Sequence, residues 1–181
     1  MKILKLGLPF VAVLLVGTLA GCSHTAKSPD VSGSIHKALE QAGFKDVSTS
    51  QDRDQGVVTL SGHVATDADK AQADSIAKSM AAGEVVSNQI AVIPPGDTHD
   101  AKAANSDLDK GIEQNLDAAL IQDGLHKGVK YSVKNHVVTL TGNVDSQATR
   151  AQAQEVAASV PNVQQVVNEL QIKDQKATSS N

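Results

Sequence analysis

Six histidines, one cysteine and a short basic run carry most of the chemical potential of this 181-residue chain. The histidines are His24, His36, His63, His99, His126 and His136, and their spacing matches no zinc-ligand pattern. Asp97-Thr98-His99-Asp100 gathers metal-binding side chains, but in a polar stretch with Pro and Gly that reads as a solvated loop. Asp67 and Asp69 offer paired carboxylates for acid–base work. Their position at the start of a helix reads instead as cap charge, favoured by the helix dipole. Ser61 and Thr141 fall on strands, without a local base or a nucleophile elbow. No GxGxxG follows a strand and no phosphate-binding loop is present. The sequence therefore predicts no enzyme, no metal and no cofactor.

The basic run is the remaining candidate. His126, Lys127, Lys130, Lys134 and His136 concentrate positive charge within one segment. The alternation of Val129–Lys134, "VKYSVK", puts Lys130 and Lys134 on the strand face opposite Val129, Tyr131 and Val133. Near an anionic membrane each lysine contributes about 1 kcal/mol. Two or three of Lys127, Lys130 and Lys134 would suffice to orient a domain already tethered there. The competing reading is a solvated sheet face, because Asp123 dilutes the patch and the whole chain is acidic. In the first half, Lys37, Lys45 and Arg53 are interleaved with Asp46, Asp52 and Asp54.

Cys22 closes the N-terminal stretch "MKILKLGLPFVAVLLVGTLAGC". Lys2 and Lys5 form a positive n-region, Leu6–Val16 is apolar, and small residues follow, as in an export signal. The apolar run is short of the roughly 20 residues a membrane span needs. Leu19-Ala20-Gly21-Cys22 resembles the lipobox of bacterial lipoproteins, which implies cleavage after residue 21 and acylation at Cys22. An ordinary secretory signal ending in a stray cysteine is the alternative. A sole cysteine permits no intramolecular disulfide, and a thioether-linked one is inert in an oxidising compartment. Two or three acyl chains anchor a protein stably where one does not. Ser23 rather than Asp after the cysteine implies, by the same resemblance, the outer membrane facing the periplasm.

Removal of residues 1–21 takes Lys2 and Lys5, leaving 14 of 16 Lys and Arg against 20 Asp and Glu. A mature charge near −6 argues against nucleic acid as a partner, since phosphate binding needs clustered Lys and Arg. Base stacking has little to work with, as only Phe44 and Tyr131 are aromatic after the signal.

The elements around these residues come from an internal repeat. "VVTLSGHV" at Val57–Val64 returns as "VVTLTGNV" at Val137–Val144, and the ungapped match extends over Val57–Val92 and Val137–Ile172. Ile35, Ala38, Leu39 and Ala42 recur at helical spacing, as do Leu108, Ile112, Leu116, Ala119 and Leu120. Gly43 and Gly124 end these helices. Two strands follow, the second stopping at Gly62 or Gly142 where the chain must bend or let another backbone pass. A second helix starts after Thr66 or Ser146, both suitable N-caps, and buries Ala73, Ile76, Ala77 and Met80 or Ala153, Val156, Ala157 and Val160. A last strand closes each unit at Val85–Val92 or Val166–Ile172.

The predicted fold class is α+β: two small α-β-β-α-β repeats, each a three-stranded mixed sheet packed against two helices. The boundaries expected are a signal at 1–21, a lipidated tether at 22–30, repeats at 31–93 and 107–173, a linker at 94–106 and a frayed tail at 174–181. At about 65 residues each, the repeats bury too little surface to be more than marginally stable alone. They are expected to pack on each other or on a partner.

The strand "VTLTGNV", the alanine-rich helix after it and "VQQVVNELQI" (Val163–Ile172) resemble the BON domain, named for bacterial osmotically inducible and nodulation proteins. Copy one carries "VTLSGHV" and "GEVVSNQIAV" (Gly83–Val92), departing at Gly83 where the family has an apolar residue, so a looser helix–strand junction is expected there. The resemblance implies a non-enzymatic envelope protein that contacts phospholipid or envelope protein partners and supports envelope integrity, with osmotic stress as the candidate setting, and it makes Lys127, Lys130 and Lys134 a candidate phospholipid-binding set. A protein-interaction accessory subunit without lipid binding of its own is the alternative.

Overall fold

The computed structural model describes residues 27–96 and 98–173; the signal, Cys22 and the tail at 174–181 lie outside them. Copy one comprises α1 (Ser32–Gln41), β1 (Val47–Asp52), β2 (Val57–Val64), α2 (Asp67–Met80), β3 (Val85–Asn88) and β4 (Ala91–Val92). Copy two comprises α3 (Thr98–Gln122), β5 (Val129–Lys134), β6 (Val137–Val144), α4 (Gln147–Ser159), β7 (Gln165–Asn168) and β8 (Gln171–Ile172). In each, the central strand β2 or β6 pairs antiparallel with the strand before it and parallel with both pieces of the last. The α-β-β-α-β order and the mixed sheet are those the repeat predicts.

The repeated letters now have physical roles. Gly62 and Gly142 take φ of +108° and +117°. A Cβ there would run into the carbonyl oxygen of Asp46 or of Gly128. Only glycine lets the strand bend while the preceding backbone crosses it so closely. The small faces Ala73 and Ala77, or Ala153 and Ala157, are fully buried and let the second helix sit near the sheet. Thr66 and Ser146 cap these helices by accepting the N–H of Asp69 and Thr149, each at 3.1 Å. Asp69 is too short to reach back to the Thr66 N–H as a capping-box Glu does. It accepts the Thr66 hydroxyl at 2.8 Å instead.

The last strand, expected as one piece, is broken in two. Asn88 causes the break: its Oδ1 accepts the N–H of Ile90 at 3.3 Å and its Nδ2 donates to the Lys70 carbonyl of α2 at 3.2 Å. Asn168 does the same with Leu170 and the Arg150 carbonyl, at 3.2 and 3.0 Å. The motif asparagine thus pins the helix to the strand and turns Ile90 or Leu170 into the core, where both are buried.

Four further expectations need correction or detail. The segment 94–106 is not irregular throughout, since α3 already begins at Thr98. Leu108 is 44% exposed, because the apolar face of α3 meets its sheet only from Ile112 onward. Ala42 is exposed as the C-cap of α1 rather than part of its buried face. At the Gly83 junction, Ala82 and Gly83 both have positive φ, whereas copy two uses Asn162 alone and follows it with Val163 packed on the core.

Each copy has its own apolar cluster, and a third cluster of Val57, Val137 and Val167 joins them. Strands β3 and β7 lie edge to edge across this seam. The Gln165 side chain bridges it, donating to the Val86 carbonyl at 2.6 Å and accepting the Asn88 N–H at 3.0 Å. Asn135 Nδ2 adds a bond to the Gln89 carbonyl at 2.7 Å. The two copies therefore pack on each other.

Candidate functional site

Strand β5 is the outer strand of the second sheet, and its burial alternates along its length. Val129 is buried and Tyr131 and Val133 pack on the core, while Lys130, Ser132 and Lys134 face outward. Lys130 and Lys134 stand opposite Thr141 and Val137 in the register with β6. Four residues of strand separate them by about 13 Å. Lys127 sits in the turn before β5, exposed, next to Gly128. That turn is fixed from below, because a Cβ on Gly128 would lie 2.6 Å from the Asn143 carbonyl oxygen. Among the described residues no ion pair engages Lys127, Lys130 or Lys134. Their ammonium groups are thus presented to solvent on a rigid strand and its leading turn.

The basic cluster read from the sequence does not stay together. His126 is exposed near Lys127, but His136 turns inward to a cavity of about 180 Å³ between the domains, also lined by Asp67, Lys70, Asn105 and Gln164. Its backbone N–H and that of Asn135 are both held by the Asp109 carboxylate at 2.8 Å. Burial pushes the Lys70 ammonium below its ordinary value, against the opposing pull of Asp67. Burial likewise raises Glu169, helped by the negative charge of Asp52. Tyr131 is raised by burial first and by Asp117 second. None of these groups converges with a nucleophile.

Asp67 and Asp69 occupy the first turn of α2, where the cap contact uses Asp69. His63 is exposed just beyond the Gly62 bend. Asp97 and the side chains of Thr98 and His99 lie outside the described residues. Among the described residues no group of three or more His, Cys, Asp or Glu could hold a metal ion, and no helix is long and apolar enough to cross a membrane.

Sequence reasoning missed the residues that organise the seam and the turns. Asp109, Gln165 and Arg150 act across long sequence separations. Lys27–Asp30, read as the end of the tether, is fastened to the first hairpin. Ser28 exchanges bonds with Arg53, and Gln51 holds the Pro29 carbonyl at 2.7 Å and the Val31 N–H at 3.0 Å. The one available signal was a break in the repeat: Gln165 stands where copy one has Val85.

Comparison with known proteins agrees with the repeat. The family model for the BON domain matches residues 30–94 and again 108–174. The chain is 31% identical over 137 residues to Osmotically-inducible protein Y of Escherichia coli (strain K12), covering 75% of this chain and 67% of that protein. Among solved structures, CdsD, a structural protein of the type III secretion system of Chlamydia trachomatis, aligns over 78% of this chain and 91% of its own at 14% identity and a TM-score of 0.35. Its C-terminal domain aligns over 82% and 100%, with 14% identity and a TM-score of 0.34. A BON domain is a non-catalytic fold, and this chain is accordingly not an enzyme. Two matched segments, each folded as a complete α-β-β-α-β unit, make the chain a tandem member of the BON domain family.

Proposed function

We propose that the chain is a lipid-anchored protein of the bacterial cell envelope whose second BON domain contacts anionic phospholipid through Lys127, Lys130 and Lys134. Acylation at Cys22 sets its address at the outer membrane, facing the periplasm, and its role there is to support envelope integrity under osmotic stress. The similarity to an osmotically inducible protein supports the stress setting. The residue chemistry supports the contact.

The observation that carries the contact is a charge exchange at matched positions. The registers align Ser48, Ser50 and Asp52 of β1 with Lys130, Ser132 and Lys134 of β5, because Val47 and Val129 both pair with the motif glycine. Buried or half-buried and exposed positions alternate identically along the two strands. The outward charge changes from neutral and acidic to basic on a chain that is acidic overall, while inward Thr49 and Gln51 give way to Tyr131 and Val133. Packing cannot have required lysine there, since the same fold forms without it in copy one. A headgroup phosphate would offer acceptors to each ammonium, and an anchor would hold the domain near enough for a weak contact to matter.

Vesicle flotation of the chain carrying Cys22→Ser, which removes the acylation site, tests this contact. We expect retention on vesicles containing phosphatidylglycerol, little on neutral phosphatidylcholine, and roughly tenfold weaker retention after combined Lys127→Glu, Lys130→Glu and Lys134→Glu. Equal retention by the triple variant overturns the site. Absence of any retention favours an address set by the lipid alone and a protein partner.

A further inference from the structure

The segment ahead of each domain's first buried helical face braces that domain's hairpin turn, but by different chemistry. Ile35 and Leu39 of α1 fill the places of Leu116 and Leu120 of α3, so Ser28 corresponds to Asp109. Asp109 lies inside α3 and holds the turn of β5 and β6 with its carboxylate. Ser28 lies outside any helix, since α1 starts only at Ser32, and it works through its backbone. Its N–H donates to the Arg53 carbonyl at 3.0 Å, and its carbonyl accepts from Arg53 Nε at 2.6 Å. Gly56 of the same loop backs onto it, for a Cβ there would lie 3.4 Å from Ser28 Oγ.

Gln51 is the clasp of this segment. Its Nε2 donates to the Pro29 carbonyl at 2.7 Å, and its Oε1 accepts the Val31 N–H at 3.0 Å. Glu84, just before β3, fixes the carboxamide in that pose by accepting from the same Nε2 at 2.7 and 2.8 Å. Copy two has Val133 in the place of Gln51 and Gln164 in that of Glu84, so the clasp belongs to copy one alone. Its bonds to the N-terminal segment all go to backbone groups ahead of α1. Letting residues 27–30 go therefore melts no helix, whereas Asp109 could leave its turn only if α3 unwound.

We propose that Lys27–Asp30 is a releasable strap, clasped by Gln51, that sets how far the two domains stand from the lipid surface holding Cys22. With the strap closed, only residues 23–26 separate Cys22 from Lys27, a reach of about 18 Å at full extension. With it open, residues 23–30 separate Cys22 from Val31, and the reach grows to about 32 Å. This role rests on the anchored reading of Cys22. Closing the strap then raises the local concentration of the domains at the bilayer roughly twofold, since that concentration falls as about the −3/2 power of tether length. The lysine contact of β5 gains by the same factor with no new bond.

Cys22 is the sole cysteine, so a nitroxide coupled to its thiol reports on the strap with no lipid present. In the isotope-labelled chain from Cys22 onward, we expect strong paramagnetic broadening at the Arg53–Gly56 amides. The Ser28 and Val31 N–H groups should exchange slowly in the same chain. Gln51→Val, which installs the residue copy two carries, should reduce the broadening roughly threefold and speed both exchanges about tenfold. The Leu39 N–H should stay protected, which shows that the domain remains folded. Equal broadening in the two chains, or fast exchange at Ser28 and Val31 before substitution, overturns the strap. An unacylated Cys22 in the membrane-extracted chain, read by mass, overturns its role at the lipid while leaving these signals intact, so the two failures are told apart.

Discussion

The two BON domains carry the same elements but close their first hairpins by different means. In copy two, β5 turns into β6 through Asn135 and His136 alone, with φ of +47° and +67°, the conformation of a tight type I′ turn. A carboxylate from α3, Asp109, holds both N–H groups of that turn. Copy one spends four residues, Arg53–Gly56, between β1 and β2. Asp52 closes that longer loop from within, accepting the N–H groups of Asp54 and Gln55 at 3.0 Å each. Residues Lys27–Asp30 then lie along it, with Lys27 paired to Asp54 at 3.2 Å. The first hairpin is thus tied to the segment that leads back toward Cys22, whereas the second is braced by a helix behind it. With the brace behind, the outward face of β5 stays free to carry charge.

What the domains share should be the most costly to remove. Gly62→Ala and Gly142→Ala each force a side chain against a crossing carbonyl at positive φ, and each should cost roughly 3 kcal/mol or more. Thermal unfolding followed by circular dichroism checks this. Sensitivity at one glycine only would mean that the bend is shared in sequence and not in structure.

What separates them should cost less and act locally. Asp109→Ala leaves the turn of β5 and β6 without its acceptor and should cost about 1–3 kcal/mol. Hydrogen exchange should quicken at Val137 and Val138 while Val57 and Val58 keep their protection. Equal quickening in both hairpins would show that Asp109 supports the seam and not the turn.

The shared parts were legible in the sequence because they rest on local rules. Strand alternation, helical spacing, N-caps and the repeated glycine are each set within a few residues. The outward direction of Lys130 and Lys134 follows from alternation alone. The unshared parts depend on partners far along the chain. Asp109 meets Asn135 across 26 residues and Gln165 meets Val86 across 79. Periodicity contains no information about such meetings. His136 illustrates the limit: it neighbours Lys134 in sequence, yet the two-residue turn swings it into the cavity between the domains. Leu108 shows the converse error, since helical spacing continued past the point where a sheet lay beneath it. The split of the last strand was likewise hidden, although its cause, Asn88 or Asn168, is a letter of the family motif.

The claim that the two domains divide the work, one tied to the N-terminal segment and the other meeting lipid, is tested most directly by paramagnetic broadening from spin-labelled phosphatidylglycerol bicelles. The prediction is strong loss of amide signal along Lys127–Lys134 with the signals of Ser48–Asp52 preserved. Equal loss in both strands, or loss confined to Ser48–Asp52, would contradict it.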